Sequence, residues 1–228
     1  MRLDAYLVEM GHFKSRGRSK QAIKGGHVSI GGNVVIKPST DVSIDDNIEV
    51  DEGLDMPKGY FKLKRIQEET GLISEGDSVI DLGSSAGGFI MFASEIAGKI
   101  KGLEFSPDFR SELGQIAHEN ENVSVIFDDV FSVPLAELSE GPVDVILSDM
   151  TLEPMDSLAA LERVLPLLKD GGKILQVIKM SKKIDRKPLL ARVEELGIEI
   201  LQVLESHKQE IYVIGQKAEK AGISEAMD

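Results

Sequence analysis

The sequence has 228 residues, 42% of them hydrophobic and 29% charged, which favours a folded chain with one large domain, or a large and a small one. The formal net charge of −13 argues, by itself, against a protein that lies all over on nucleic acid or an anionic membrane. The absence of Cys excludes disulfides, thiolate metal sites and Cys nucleophiles. No apolar run approaches the ~18–20 residues that span a bilayer and no signal peptide opens the chain, so we expect a cytoplasmic protein.

The first 52 residues predict two helices followed by short strands. Apolar residues at helical spacing predict a helix in the first dozen residues, and a second begins near Ser15 and ends at Gly25-Gly26. Two apolar runs around Gly31-Gly32 predict a β-hairpin. The segments Val42–Ile44 and Ile48–Val50 predict two further strands.

The charge is distributed unevenly along the chain. Residues 1–40 carry seven basic and two acidic side chains and net +5, so the rest of the chain nets −18. Five of the seven basic residues fall between Lys14 and Lys24. Such a run forms either a solvated helix face or a phosphate-binding face on a small N-terminal module. The candidate RNA-binding residues of this module are Arg2, Arg16, Arg18, Lys20 and Lys24.

The order of these N-terminal elements resembles the S4 RNA-binding domain. The Arg2-Leu3-Asp4 opening, the Ser15-Arg16 step and the hairpin from Gly26 to Pro38 carry the resemblance. It implies contact with RNA without naming a reaction. We therefore expect an α+β domain of this kind at residues 1–52, followed by a linker at residues 53–59.

From Tyr60 onward, apolar runs of strand length alternate with amphipathic stretches. This alternation predicts an α/β domain at residues 60–216, Rossmann-like, with a mainly parallel, doubly wound sheet. The seven predicted strands lie at residues 79–82, 100–105, 123–127, 143–147, 174–178, 198–204 and 211–214. Helical patterns lie between them at residues 89–97, 109–118, 158–168 and 188–196. We expect a frayed tail at residues 217–228.

The first strand of this domain runs into a glycine-rich turn that extends from Asp81 to Phe89 and reads D-L-G-S-S-A-G-G-F. Ligands of doubly wound sheets bind at the carboxyl ends of strands, and Gly83, Gly87 and Gly88 let the backbone approach a ligand closely. The spacing matches neither the G-x-G-x-x-G fingerprint for dinucleotides nor the Gly-Lys-Ser/Thr of a phosphate-binding loop. The turn is therefore either a tight connection or part of a site for another ligand.

Acids also follow the next two strands. Glu104 stands about 20 residues after the loop, where an acid can bind the hydroxyls of an adenosine ribose. Asp129 follows the third strand, where it can accept from an adenine amino group. Each acid alone is a common solvated strand end, but three in register with Asp81 included favour an adenosine-containing ligand.

This pattern resembles the S-adenosylmethionine-dependent methyltransferases, and residues 58–215 are similar to the FtsJ/RrmJ family of ribose 2′-O-methyltransferases. The turn is similar to that family's D-L-G-x-x-x-G-G-[FW], although Ser84, Ser85 and Ala86 depart from its usual residues, and Gly59–Leu63 resembles its entry segment before a helix. The resemblance implies S-adenosyl-L-methionine as the cofactor. The candidate cofactor-binding residues are Asp81, Gly83, Ser85, Gly87, Gly88, Phe89, Glu104, Asp129 and Asp149.

Members of this family carry a catalytic Lys-Asp-Lys-Glu tetrad, and the matching positions here are filled by Lys62, Asp149, Lys179 and Glu210. A lysine beside a ribose 2′-hydroxyl can stabilise the developing alkoxide or, if burial lowers its pKa, accept the proton, and Lys179 is our candidate. Asp149 and Glu210 are expected to hold Lys179 and shape its pKa. Lys62 is expected to orient the hydroxyl or a neighbouring phosphate.

An S4 domain followed by this methyltransferase domain resembles the TlyA (haemolysin A-like) family, whose members methylate ribosomal RNA. The resemblance implies ribosomal RNA or ribosomal subunits as partners. Basic residues after Lys179, among them Lys182 and Lys183, are further candidates for RNA phosphates. No metal is expected, because the four His are scattered without ligand spacing.

Several other functions are compatible with parts of the sequence. An inactive ribosome-assembly factor is disfavoured by the complete tetrad, and a membrane-active haemolysin by the lack of a spanning segment. Methylation at pyrimidine carbon 5 commonly uses a Cys, which is absent. Methylation of base amino groups typically uses an Asn/Asp-Pro-Pro-aromatic loop, where this chain reads Ser148-Asp149-Met150-Thr151.

Overall fold

The computed structural model describes residues 1–13, 15–51, 56–180, 185–205 and 209–219. The chain forms two compact units, Met1–Pro57 and Lys58–Asp228. Each unit has buried hydrophobic residues of its own: one cluster in the first unit and two in the second. Within the described ranges, none of the helices has the length and apolar character needed to cross a membrane.

The N-terminal unit contains two helices and a small antiparallel sheet. Its elements are α1 (Leu3–Glu9), α2 (Arg16–Lys24), β1 (Val28–Ile30), β2 (Asn33–Val34) and β3 (Ile48–Val50), with β1 in the centre of the sheet. Ser15 caps α2, since its hydroxyl accepts from the backbone N–H of Arg18 at 3.4 Å. The helix pair and the hairpin are therefore confirmed.

The strand predicted at Val42–Ile44 is wrong. Only the preceding Asp41 forms a bridge, with Arg2. Local side-chain contacts hold the segment in a turn instead: Asp46 accepts from the backbone N–H of Ser43 at 2.8 Å, and the Ser43 hydroxyl accepts from the N–H of Asp45 at 3.2 Å. Asp and Ser side chains that bind nearby backbone groups in this way compete with strand pairing.

The second unit is a seven-stranded sheet with helices packed against it. Its strands are β4 (Ser78–Leu82), β5 (Lys99–Glu104), β6 (Val123–Phe127), β7 (Val143–Ser148), β8 (Leu168–Lys179), β9 (Ile198–Glu205) and β10 (Glu210–Lys217). Its helices are α3 (Lys58–Thr70), α4 (Gly88–Ala93), α5 (Arg110–Glu119), α6 (Leu135–Leu138), α7 (Pro154–Val164) and α8 (Lys187–Glu195). All seven predicted strands are present, whereas α6, with four residues, is too short to show a helical period in the sequence.

The strand order of the large sheet is β6-β5-β4-β7-β8-β10-β9. Strands β4 to β8 are parallel to their neighbours among themselves, and β10 runs antiparallel to both β8 and β9. After β4 the chain builds the sheet first on one side and then on the other, so the topological switch point lies between β4 and β7. A ligand site is expected there, at the carboxyl ends of the parallel strands.

Helix α3 begins at Lys58, directly after Pro57, so it contains Gly59–Leu63. The expectation that this segment precedes the helix is therefore wrong. Leu63 and Ile66 are fully buried at a spacing of three, which fixes one face of the helix against the sheet. The residues before them complete the first two turns.

Candidate active site

Four charged side chains form a closed ring in the second unit. The Lys179 Nζ lies 2.6 Å from Asp149 Oδ1 and 3.0 Å from Glu210 Oε2. The Lys62 Nζ lies 2.7 Å from Asp149 Oδ2 and 3.1 Å from Glu210 Oε1. Each carboxylate therefore contacts both lysines, and two cations balance two anions. We call this set of four side chains the charge ring.

The sheet topology explains why the four residues meet. Antiparallel pairing of β10 with β8 puts Glu210, the first residue of β10, opposite Lys179, the last residue of β8. Asp149 directly follows Ser148, the last residue of the neighbouring strand β7. Lys62 reaches the same place from the second turn of α3. Four elements therefore contribute one charged group each.

The electrostatics of the ring favour the ammonium form of Lys179. Burial of this side chain disfavours the charge, but the hydrogen bonds and negative charges of Asp149 and Glu210 outweigh burial and raise the pKa of Lys179. The expectation that burial lowers this pKa is therefore wrong, because two carboxylates lie within hydrogen-bonding distance. Lys179 is also the most exposed member of the ring, at 35% for its side chain.

Glu210 is held in its ionised form. Its burial favours the neutral acid, yet hydrogen bonds from Tyr212, Lys179 and Lys62 lower the pKa of Glu210 to about 2. The Tyr212 hydroxyl donates to Glu210 Oε1 at 2.7 Å, and the Tyr212 ring centre lies 5.5 Å from Lys62 Nζ. Tyr212 was not among the residues predicted from the sequence. Residues two apart in a strand share one face, so its spacing from Glu210 could have identified it.

A cavity of about 560 Å³ lies at the carboxyl ends of β4, β5, β6 and β7, a size typical of small-molecule sites. Five of the predicted cofactor-binding residues line it: Gly83, Ser85, Glu104, Asp129 and Asp149. Asp149 also belongs to the charge ring, so the ring lies at the edge of this cavity.

Glu104 is fixed at the wall of the cavity by two backbone contacts. Its Oε2 accepts from the N–H of Ser85 at 2.7 Å, and its Oε1 accepts from the N–H of Ser106 at 2.7 Å. A carboxylate offers about four acceptor positions, so capacity remains for two ligand hydroxyls. The arrangement fits the ribose of an adenosine.

Aromatic side chains missed by the sequence analysis form part of the cavity wall. Phe105 directly follows Glu104 and is 76% exposed, and Phe131, two residues after Asp129, is 46% exposed. Phe109 also lines the cavity. Exposed rings beside acidic acceptors suit a flat heterocycle that carries amino groups, as adenine does.

Asp81 does not line the cavity. It pairs with Gly102 of β5, two residues before Glu104, so it lies deeper in the sheet and the expectation of three acids in register is wrong. Among the residues that the structure describes, neither carboxylate oxygen of Asp81 has a hydrogen-bond partner, and Asp81 is 1% exposed. Burial raises the pKa of Asp81 to about 7, opposed by the nearby Ser84 hydroxyl, which donates to the Asp81 main-chain carbonyl at 3.3 Å, and reinforced by the charges of Asp149 and Glu104.

Gly87, Gly88 and Phe89 also lie away from the cavity wall, and packing of the chain explains these residues better than ligand approach. A Cβ on Gly88 would lie 2.7 Å from the backbone nitrogen of Tyr60, so this glycine lets α3 and α4 touch. Gly87 has φ +79° and faces Ile116, while Phe89 is 5% exposed within the core. Gly83 does line the cavity.

In the N-terminal unit, three predicted RNA-binding residues gather around one buried acid. Asp4 is completely buried, and it contacts Arg2 Nε at 2.9 Å, an Arg16 guanidinium nitrogen at 2.9 Å and Lys20 Nζ at 3.8 Å. The hydrogen bond from Arg2 exceeds the effect of burial and, with Arg16, holds the pKa of Asp4 well below its usual range. Each of these cations remains about half exposed.

The other predicted RNA-binding residues do not all belong to this group. Arg18 is half-buried and Lys24 is exposed, both on α2, where Lys24 continues the four-residue spacing of Arg16 and Lys20 along one face. Lys182 and Lys183 lie outside the described residues. Across the ranges that the structure describes, no group of three or more His, Asp or Glu is placed to hold a metal ion.

Two known families match this chain. Residues 56–216 match the family described as FtsJ-like methyltransferase, and residues 1–48 match the S4 domain. The first match covers the strands and helices that build the cavity and the charge ring.

Curated relatives match half or more of the chain. The chain is 31% identical over 186 residues to the Ribosomal RNA large subunit methyltransferase E of Syntrophobacter fumaroxidans, which covers 73% of this chain and 91% of that protein. It is 30% identical over 133 residues to the protein of the same name from Desulfosudis oleivorans, covering 50% of this chain and 60% of that protein.

Solved structures share the fold. A Streptococcus thermophilus protein provisionally named a hemolysin has a TM-score of 0.63 at 18% identity, covering 96% of this chain and 88% of that chain. The fibrillarin of Aeropyrum pernix, solved with natively bound S-adenosyl-L-methionine, has a TM-score of 0.56 at 22% identity, covering 63% of this chain and 68% of that chain. Likeness at these identities confirms the α/β fold of the second unit.

Proposed function

The chain belongs to the FtsJ-like methyltransferase family, and on that premise we propose that it transfers the methyl group of S-adenosyl-L-methionine to a ribose 2′-hydroxyl of ribosomal RNA. The observation that carries the proposal is the charge ring at the edge of a nucleoside-sized cavity, with Asp149 belonging to both. The printed names of the curated relatives support ribosomal RNA as the substrate.

The cavity suits the proposed methyl donor. Glu104 would accept from its ribose hydroxyls, Asp129 from its adenine amino group, and Phe105 and Phe131 would cover the faces of the adenine. When bound, S-adenosyl-L-methionine supplies an electrophilic methyl group on a sulfonium, whose sulfur leaves as a neutral thioether.

Lys179 is the residue to which we assign the proton of the 2′-hydroxyl. A neutral amine at Lys179 accepts that proton as the ribose oxygen takes the methyl group, and the resulting ammonium is then stabilised by Asp149 and Glu210. Because the pKa of Lys179 is raised, the neutral amine is a minor form at neutral pH. Lys62 stays protonated and still contacts both carboxylates once Lys179 has lost its charge, so one negative charge of the ring is then left without a cation.

The N-terminal unit would contribute RNA affinity. Arg2, Arg16 and Lys20 present half-exposed cations around Asp4, and such groups suit the phosphates of an RNA backbone. Phosphate contacts of this kind give affinity and position without reading sequence. The choice of nucleotide would then rest with the methyltransferase unit.

A direct experiment tests this function. We expect the full chain to transfer label from S-adenosyl-L-methionine to ribosomal RNA or to ribosomal subunits, at a ribose that then resists alkaline cleavage at its 3′ side. The Lys179→Ala variant should lose transfer while it binds the cofactor with nearly unchanged affinity. Lys169→Ala is a matched control, since Lys169 also pairs with an acid, Asp144, outside the charge ring. RNA binding without any transfer by the wild type would contradict the proposal and indicate an assembly factor.

A further inference from the structure

The outer face of α3 carries an aromatic side chain that the core does not use. Phe61 is 45% exposed, directly before Lys62 of the charge ring. The buried face of the helix is formed by Leu63 and Ile66, which are fully buried. Phe61 lies off that face, so packing does not explain its ring.

The Phe61 ring packs against Tyr60, which is itself held by other side chains. Its centre lies 5.3 Å from that of Tyr60, with the ring planes at 75°, and Tyr60 meets Phe92 at 5.3 Å and 87°. The Tyr60 hydroxyl also donates to Glu95 at 2.7 Å. Edge-to-face contacts of this kind stabilise an aromatic pair while leaving one ring face free. Phe61 is therefore an exposed ring with a fixed support.

The exposed positions of α3 next to Phe61 carry positive charge. The segment from Lys58 to Arg65 contains four basic residues and no acid, and three of the four are exposed, at positions 58, 64 and 65. Spacings of three and four residues from Phe61 place Lys58, Lys64 and Arg65 next to it on the helix surface. Arg65 also forms an exposed ion pair with Glu69 at 3.6 Å, a contact that is weak in water.

The same face adjoins the charge ring. The guanidinium carbon of Arg65 lies 5.8 Å from the centre of the Tyr212 ring, and Tyr212 donates to Glu210. Lys62 follows Phe61 in the helix and contacts both carboxylates of the ring. A ligand on the outer face of α3 would therefore lie beside the reacting ribose.

We propose that this face, formed by Lys58, Phe61, Lys64 and Arg65, binds the substrate RNA next to the target nucleotide, with the Phe61 ring stacked on an unpaired base and the cations on the flanking phosphates. The inference rests on the proposed function and assigns it a substrate class: single-stranded or unpaired RNA. Proteins bind single-stranded nucleic acid through aromatic rings that stack on bases and cations that contact phosphates, and this face has both. The bases of a duplex are already stacked on each other, so they are not available to the Phe61 ring.

Binding of the full chain to labelled oligonucleotides tests the inference. The probes are an unstructured single-stranded RNA and a blunt RNA duplex of the same length. We expect Phe61→Ala to weaken binding of the single strand by about five- to a hundredfold, the range of one base–aromatic stack, and to leave duplex binding and cofactor binding unchanged. Phe61→Trp should retain wild-type affinity. Leu201→Ala, at a side chain 49% exposed on β9, is the matched control and should change none of these values.

A second variant tests the cations. Lys64→Gln should weaken the binding of both probes. It should also reduce the slope of log affinity against log salt concentration by about one, as expected for one lost phosphate contact. Unchanged affinity of Phe61→Ala for the single strand overturns the inference. A Phe61→Ala variant that loses only the methylation of intact ribosomal subunits also overturns the inference, since Phe61 would then contact a ribosomal protein and not RNA. A wild type that methylates no RNA would count against the proposed function, while the oligonucleotide comparison would still decide the role of Phe61.

Discussion

Lys179 donates to Asp149 across 2.6 Å, and this contact favours the protonated form of the lysine. A proton acceptor must first lose that proton. The charge ring therefore holds Lys179 as the ammonium, which must lose a proton before it can act as a base. The rate of methyl transfer should for this reason depend on pH.

We expect kcat to rise by about tenfold per pH unit through the neutral range and to level off as pH approaches the raised pKa of Lys179, because the neutral amine grows in that proportion below its pKa. Initial rates at saturating RNA and cofactor check this. Lys179→Arg keeps the charge but has no neutral form, so it should be inactive at every pH. A flat profile, or activity in the arginine variant, would show that Lys179 acts through its charge alone.

Cofactor affinity should depend on Glu104. Replacing it by Ala removes the acceptor proposed for the ribose hydroxyls and releases the N–H groups of Ser85 and Ser106, so we expect the Kd to rise by roughly ten- to a hundredfold. Calorimetric titration of the cofactor measures this. Glu112→Ala, at an exposed acid on α5, is the control. If the Kd of Glu104→Ala matched the wild type, the ribose assignment would be wrong.

Removing the Tyr212 hydroxyl should destabilise the fold in a pH-dependent way. Glu210 has a pKa of about 2 in the fold and an ordinary value of 4.5, so its ionised form contributes stability above about pH 4.5 that is lost as pH falls towards 2. Tyr212→Phe should therefore lower the free energy of unfolding by roughly 1–3 kcal/mol at pH 6, and by less at pH 3. Urea denaturation at the two pH values provides the comparison. An equal loss of unfolding free energy at pH 6 and pH 3 would show that the effect comes from packing of the Tyr212 side chain and not from its hydrogen bond to Glu210.

Asp4→Asn should weaken both the N-terminal unit and its hold on RNA. The amide cannot neutralise Arg2, Arg16 and Lys20, so we expect a loss of roughly 1–3 kcal/mol in stability and disordered cations at the proposed phosphate site. Denaturation and RNA titration of the full chain measure the two effects. Glu9→Gln, which removes an exposed acid from the same unit, should not reproduce them. Tighter RNA binding by Asp4→Asn would show that Asp4 competes with phosphate instead of arranging the cations.

The alternation of apolar strands and amphipathic helices was sufficient to predict the large sheet, because burial on both faces leaves a strong pattern. The charge ring came from the resemblance, since Lys62 and Glu210 are far apart in the chain and nothing in their spacing brings them together. The direction of the Lys179 pKa shift could not be predicted, because it depends on how close two carboxylates lie. The sequence had indicated that burial, Asp149 and Glu210 all act on Lys179, but not which effect is larger.

Two other features could not be predicted from the sequence: the register between neighbouring strands and the side-chain contacts within turns. The depth of Asp81 depends on which residue of β5 lies opposite it, and that pairing is not written in either strand alone. The turn at Ser43 was not predicted, because the apolar residues on either side of Ser43 give the alternating pattern of a short strand. The contact of Gly88 with Tyr60 depends on the approach of α3, which begins earlier than the sequence pattern suggested.

The antiparallel pairing of β10 with β8 has a consequence for how the enzyme can vary. Lys179 and Glu210 are neighbours through main-chain hydrogen bonds, so their separation is set by the ladder and not by the 30 residues that join them. Insertions or deletions in that connection that spare α8 and β9 leave the two groups facing each other. A slip of one residue in the pairing, by contrast, would turn Glu210 to the opposite face. The spacing of the two charged groups is thus fixed by the strand pairing and not by the length of the connection.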